Sequence, residues 1–417
     1  MEEVGVNISG FFQGISGLSE ATRSTARALQ AVGVSTALHH SPKLNADKDP
    51  MVDNGFNEFS EHNPFPINLI HVNQNLIQDY LKVMPNAYFE GKYNIAVWAW
   101  EMPYPPDHVL PLLAFLDEIW VPSYFCVESF VKISPKPVLR FMHPIDFAPN
   151  HHTRQELKLP LDKFIFLTIF DALSLVGRKN PMAAIEAFLQ AFGADHASVL
   201  LVIKSMNFAK FPAERNQLAD LIAPAKNILW IDEALPKEDL VGLLRNCDAY
   251  VSLHRCEGFG LTLAEAMYFG KPVIGTGYSG NMDFMNSFNS YPVAYQLVPD
   301  EQGLLKKGAL WADVVIEDAA QKMKQVFEQR DQAAVVGKKA AEDVGTQLSL
   351  QQIGLQMKNR LTIIQNELLD KANSEASAII ALQVENSRLN QKVKSIENTL
   401  TNRFIDGIKY ILAKILR

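Results

Sequence analysis

Cysteine is scarce: only Cys126, Cys247 and Cys256 occur in 417 residues. Their odd number and lack of metal-ligand spacing argue against a disulfide framework or a structural zinc, and fit a reducing compartment. Long apolar runs are also missing, since no stretch reaches the roughly 20 residues that a membrane-spanning helix needs. The opening segment MEEVGVNISGFF is acidic and short of apolar length, so no signal peptide is expected and the chain is assigned to the cytoplasm. Positive charge is not in excess; the net charge of −7 gives no reason to expect nucleic acid as a partner. What remains is ordinary globular composition, 48% hydrophobic and 20% charged, in a chain long enough for two or three domains.

The organising stretch is VSLHRCEGFGLTLAEAMYFGKPVIGTGYSG, residues 251–280. An apolar run at 249–253 predicts a buried strand that delivers Gly258 and Gly260 to its carboxyl end. Leu263, Ala264, Glu265, Ala266 and Met267 are helix formers, and Gly270 stops them before Pro272 opens another strand. Strand, glycine turn, helix and strand make one βαβ unit, whose helix amino terminus offers unpaired N–H groups and a favourable dipole to an anion. Glu257 and Glu265 flank that turn, and carboxylates suit the vicinal hydroxyls of a sugar or ribose.

Glu257-Gly258-Phe259-Gly260, with seven residues between Glu257 and Glu265, resembles the EX7E motif of retaining glycosyltransferases of family 4. The resemblance spans about residues 4–364 and implies an α/β GT-B fold, two Rossmann-like domains facing a cleft. It implies that Glu257 holds donor-sugar hydroxyls and Glu265 the nucleotide ribose, with Gly258, Phe259, Gly260 and Leu261 lining the phosphates. Family 4 enzymes also place an arginine at the end of the first strand of the second half and a lysine a few residues later. Gly177-Arg178-Lys179-Asn180-Pro181 supplies Lys179 in that context; the usual arginine position holds Phe170 or Asp171, so Arg178 is expected to give the second positive charge.

Along the chain, strands are expected at 4–8, 67–72, 93–98, 118–122 and 138–142, then at 164–170, 199–203 and 228–231. Lys204 ends one of them. A glycine loop with Gly10, Gly14 and Gly17 leads into a helix over 19–32 capped by Ser19, and the family resemblance carries Gly17 over as a donor-loop residue. His71, Asn73 and Gln74 end one strand, and Trp98, Trp100 and Glu101 another, where family members often carry a histidine. Carboxyl ends of strands line the crevice of open α/β sheets, so these are acceptor-side candidates, Glu101 first among them. Residues 41–66 form an irregular insertion whose Asp47-Lys48-Asp49 lacks the strand a metal-binding DxD needs. His151 and His152 fall in a linker and are taken as solvated. Gly275 to Gly280 spells GxGxxG, but no long helix pattern follows it.

The expected plan is an acceptor-side domain over 1–147, a linker over 148–160 and a nucleotide-sugar domain over 161–347, with 311–347 helical. A closing helix over 348–369 returns towards the first domain, as in GT-B proteins. Ile379, Leu382, Asn386, Leu389, Val393, Ile396 and Leu400 then alternate spacings of three and four, a coiled-coil seam over 370–402 that fits a homodimer. The tail, 403–417, carries Phe404, Ile405, Ile408, Ile411, Leu412, Ile415 and Leu416 on one face with Arg403, Lys409, Lys414 and Arg417, the pattern of a helix lying on a membrane surface.

Taken together, the resemblance implies a metal-independent hexosyltransferase without cofactor, its catalytic candidates being Lys179, Arg178, Glu257 and Glu101. Similarity to lipopolysaccharide and O-antigen mannosyltransferases implies a GDP- or UDP-linked sugar as donor and a glycan or lipid-linked oligosaccharide as acceptor. A non-catalytic nucleotide-sugar scaffold and an NAD-dependent sugar-modifying enzyme stay open beside it.

Overall fold

A computed structural model of the chain describes residues 4–41, 55–149, 151–300 and 308–415. Its described residues divide between two compact bodies, 1–359 and 360–417. Asp47 and Asp49 lie outside the described residues.

The larger body holds two Rossmann-like domains. The first runs β1 (Gly5–Gly10), α1 (Gly17–Ala31), β2 (Ser35–His40), β3 (Ile67–His71), α2 (Ile77–Val83), β4 (Tyr93–Val97), β5 (Glu118–Val121), α3 (Tyr124–Phe130) and β6 (Val138–Arg140). All pairings are parallel, in the order β2-β1-β3-β4-β5-β6. β1 and β3 are buried at every position, on both faces, so that polar Asn7, Ser9 and Asn68 lie inside beside Val6, Ile8 and Leu69.

The second domain begins with β7 (Phe164–Asp171), α4 (Val176–Lys179), α5 (Pro181–Phe192), β8 (Val199–Met206), α6 (Pro212–Ile222) and β9 (Ile228–Asp232). It continues with α7 (Lys237–Asn246), β10 (Ala249–Ser252), α8 (Leu261–Tyr268), β11 (Val273–Thr276) and β12 (Tyr291–Val293). These strands order as β12-β11-β10-β7-β8-β9. Phe166, Phe188, Ile203 and Val251 lie at the heart of its core. In each sheet the order reverses next to the first strand, between β1 and β3 and between β7 and β10. At such switch points the loops leave in opposite directions and open a crevice.

Three sequence expectations are corrected. Ser16, not Ser19, caps α1: its side chain accepts from Ser19 N, and Ser19 is fully buried in the first turn. Residues 311–347 are not all helix, because β13 (Tyr295–Pro299) and β14 (Leu310–Val314) form an antiparallel pair before α9 (Ile316–Glu328) and α10 (Arg330–Gln347). The run Trp311-Ala312-Asp313-Val314 ends in β-branched character, and the helix starts only where Glu317 and Asp318 suit a first turn. His152 is not simply solvated: its Nδ1 lies 3.2 Å from Glu238 O, against α7.

The final helix, α11 (Leu350–Ile415), starts against α1 of the first domain. A Cβ on Gly354 would stand 2.2 Å from Ala28 O, and Lys358 Nζ donates to Val32 O at 2.7 Å, so glycine is what lets this helix touch α1. The smaller body is the rest of α11. Ile379, Leu382, Leu389 and Val393 are each about half exposed or more. Side chains from 395 onward, which carry Ile396, Leu400 and the basic tail, lie outside the described residues. No helix among the described residues is long and apolar enough to cross a membrane.

Candidate active site

The loop after β7 is built by backbone exceptions. Asp171 Oδ1 accepts from Leu173 N at 3.0 Å, Leu175 takes φ 64° and Asn180 takes φ 51°, so α4 is a single turn with Pro181 starting α5 behind it. Asn180 Nδ2 donates to Leu253 O at 3.0 Å and ties this turn to the end of β10. That bond sets Arg178 and Lys179 beside the Glu257 loop.

Arg178 is 2% exposed, and two of its nitrogens bond protein: Nη1 donates to Cys256 O at 2.8 Å and Nε to Ser174 O at 3.2 Å. It stands 3.2 Å from Glu257 and 3.7 Å from Glu101. Arg178 thus underpins Glu257, while Lys179 Nζ, less buried, lies on Glu257 Oε1 at 2.5 Å. Burial alone would push the Glu257 carboxyl up; Lys179 and Arg178 overcome it and hold the group down at about 2. Glu257 is therefore an anion at every ordinary pH. Glu101 reaches this cluster from the first domain, behind a loop that touches the glycine turn: a Cβ on Gly258 would stand 2.9 Å from Trp100 O. Ser123 Oγ also donates to Gly258 O at 2.5 Å.

Gly260 has φ 90° and caps α8, a conformation that glycine adopts without strain. Phe259 packs edge-on to His143, centroids 5.0 Å apart. Gly17 and Leu261, each at the start of its helix, face each other across the two domains: a Cβ on Gly17 would lie 3.9 Å from Leu261 Cδ2. Two helix amino termini, α1 and α8, therefore converge on one place, an arrangement that favours an anion.

Glu265 is buried at 9% exposure, and its carboxyl makes no hydrogen bond among the described residues. Burial, reinforced by the charge of Glu20 on α1, raises its carboxyl to about 8. Glu20 itself sits at about 2, burial being outweighed by Lys237, Arg23 and Arg27. Lys237 crosses from the second domain to Glu20 at 2.9 Å.

The GxGxxG run has a different use from a dinucleotide fingerprint. Beyond Gly275 the chain reaches only a short 3-10 turn, Gly280–Asp283, and a Cβ on Gly280 would meet Gly258 O at 2.2 Å. Gly280 N donates to Glu257 O at 2.9 Å and Ser279 Oγ accepts from Glu257 N at 2.8 Å, so this loop braces the glutamate.

Several residues of this region were missed or undervalued in the sequence. His143, near the end of the first domain, packs on Phe259. His71 is fully buried with neither ring nitrogen paired among the described residues, and burial followed by His143 lowers it to about 3. His254 joins Ser252 Oγ and Asn281 Oδ1, each at 3.0 Å, and locks the start of the Glu257 loop. A histidine directly before Arg-Cys-Glu-Gly was the available signal. Arg140 and Asp283, paired at 2.8 Å between the domains, had none. No cluster among the described residues offers three metal-ligating side chains.

Residues 152–343 match the family Glycosyl transferases group 1. The matched region contains Arg178, Lys179, Glu257 and Glu265, all within the second domain. No curated protein matches the chain in sequence. Among solved structures it resembles a glycosyltransferase from Rickettsia africae ESF-5, with TM-score 0.60 and 16% identity over 87% of this chain and 99% of that one. It also resembles HepE of Anabaena, solved in complex with UDP and glucose, with TM-score 0.60 and 12% identity over 86% of this chain and 100% of that one. Sucrose-phosphate synthase from Thermosynechococcus elongatus gives TM-score 0.62 and 14% identity over 88% and 100%. At such identities the likeness is one of fold, and the fold is GT-B.

Proposed function

We propose that the chain is a retaining, metal-independent glycosyltransferase that moves a hexose, mannose being the favoured candidate, from a nucleoside diphosphate sugar to a glycan or lipid-linked oligosaccharide. The observation that carries this reading is Lys179 on Glu257 beside the converging amino termini of α1 and α8. The family match over residues 152–343 and the UDP-bound Anabaena neighbour support it.

In this reading the donor diphosphate takes Lys179 and the first N–H groups of α8, near Phe259, Gly260 and Leu261, which stabilise charge as it develops on the leaving group. Glu257, released from Lys179 but still held by Arg178, accepts from hydroxyls of the transferred sugar, and Glu265 from the ribose. The acceptor hydroxyl attacks the face that the diphosphate leaves and gives its proton to the departing phosphate oxygen. Glu101, on the acceptor side and near Arg178, orients the attacking sugar. The half-exposed seam of α11 pairs two chains, and the basic tail holds them on the cytoplasmic surface of a membrane, where a lipid-linked acceptor lies.

Thermal unfolding with UDP, GDP, ADP and TDP tests the donor site, since a ligand that binds only the folded chain raises its melting temperature. No shift with any of them would sink the proposal. Turnover undiminished by a chelator is expected.

A further inference from the structure

Lys204 stands inside β8 and is 4% exposed, yet its ammonium makes neither a hydrogen bond nor an ion pair among the described residues. A charge taken largely out of water with no partner is expensive and is rarely kept without a use. Burial lowers its pKa, while the charges of Asp171, Asp232 and Glu233 act the other way. Of the two carboxylates that end neighbouring strands, Asp232 is already engaged by Ser205 Oγ at 2.8 Å. Asp171 uses Oδ1 for Leu173 N and Asn207 Nδ2, and its other oxygen has no bond among the described residues.

The register places this lysine on a particular face. Ile169 on β7, Lys204 on β8 and Ile231 on β9 are paired, so their side chains share one side of the sheet, and Asp171, two residues beyond Ile169, shares it as well. Tyr250 on β10 belongs to the same side through its pairing with Leu167, and Thr262 and Glu265 of α8 act on its hydroxyl. One side of the sheet therefore runs from Glu265 past Tyr250 to Asp171 and Lys204. Leu173 and Leu175, in the loop just after Asp171, are 38% and 36% exposed and add apolar surface.

We propose that Lys204 and Asp171 read the base of the donor nucleotide and select one that carries a carbonyl beside a ring N–H. The inference rests on the donor-site reading above, in which Glu265 takes the ribose. The ammonium donates to the carbonyl oxygen and the free Asp171 oxygen accepts from the ring N–H. Uracil, thymine and guanine present that edge. Adenine has no carbonyl, and the carbonyl of cytosine adjoins a ring nitrogen without hydrogen, which would face a carboxylate.

The test is calorimetric titration of the full-length chain with UDP, TDP, GDP, CDP and ADP, repeated on Lys204→Met and Asp171→Asn after thermal unfolding has shown each to be folded. At least one of UDP, TDP and GDP is expected to bind tenfold or more tighter than both CDP and ADP, and Lys204→Met to erase that margin while weak binding through the diphosphate persists. Asp171→Asn, which keeps the turn to Leu173, is expected to shrink the margin. Equal affinity across the five nucleotides in the unaltered chain, or a margin that survives in Lys204→Met, overturns the inference and leaves the donor site standing. If no nucleotide binds at all, the donor-site reading falls, and this inference with it.

Discussion

The ammonium of Lys179 rests on the carboxylate of Glu257, although 78 positions separate them in the chain. The pair joins the loop after β7 to the loop after β10, at the switch point of the second sheet, and Arg178 closes it from beneath. Each partner holds the other where a diphosphate sugar would need both.

Lys179→Ala should therefore remove charge where the leaving group develops it, lowering kcat by about 10²–10³-fold, as for loss of a single oxyanion donor. It should also alter acid stability. The Glu257 carboxyl sits at about 2 against an ordinary 4.5, so its pairing stabilises the fold above about pH 4.5 and the benefit fades as pH falls towards 2. With Arg178 alone the carboxyl rises and this acid-side loss shrinks. Steady-state kinetics and melting curves from pH 2 to 6 check both; unchanged turnover would place the diphosphate elsewhere.

Glu265 behaves in the opposite sense. Folded, it keeps its proton to about pH 8; unfolded, it loses it near 4.5, so between those values the unfolded chain binds fewer protons and stability falls as pH rises. Glu265→Gln should lack that decline and melt above the unaltered protein at pH 8 to 9, with the gap closing by pH 5. Parallel melting curves that never diverge would refute the buried, protonated carboxyl.

Gly280→Ala puts a methyl group 2.2 Å from Gly258 O, and backbone rather than a flexible side chain has to yield. Overpacking of this kind typically costs about 1–3 kcal/mol. Melting temperature should drop and nucleotide affinity should fall with it, because Gly280 N braces Glu257 O. Gly345→Ala, inside α10 with nothing within 4 Å, is the matched control; it should raise the melting temperature slightly and leave nucleotide affinity unchanged.

The α11 seam predicts assembly. Leu382 is 71% exposed and Leu389 49%, both at core positions of the repeat. Sedimentation should report a dimer for the full-length chain and a monomer for Leu382→Asp combined with Leu389→Asp, with unchanged nucleotide binding. A monomer in both would remove the coiled coil from the picture.

For the tail, flotation with anionic vesicles at low salt should capture the full-length chain but not a version ending at Asn402, and high salt or neutral lipid should release it. Equal flotation of the two versions excludes the tail as the anchor.

Sequence by itself determined the two-domain α/β plan, the βαβ unit around Glu257 and Glu265, and the lysine turn at 177–181. Those features are written in short-range terms: runs buried on both faces, helix formers after a glycine turn, proline at a first helical turn, a spacing of eight between two glutamates. Tertiary structure alone decided that Arg178 lies beneath Glu257, 3.2 Å from its carboxylate, and that Gly280 belongs to a close backbone crossing. It also decided that the chain at 310–314 is a strand, since an antiparallel partner at 295–299 has to be present for that choice. Glu20 and Lys237 are 217 residues apart, and their pairing beside Glu265 exists only because the domains pack with α1 facing α7 and α8. Periodicity and propensity act over a few residues. Charge, burial and steric exclusion act across whatever distance the fold has closed; they fix the protonation of Glu257 and Glu265 and leave Lys204 without a hydrogen bond or ion pair among the described residues.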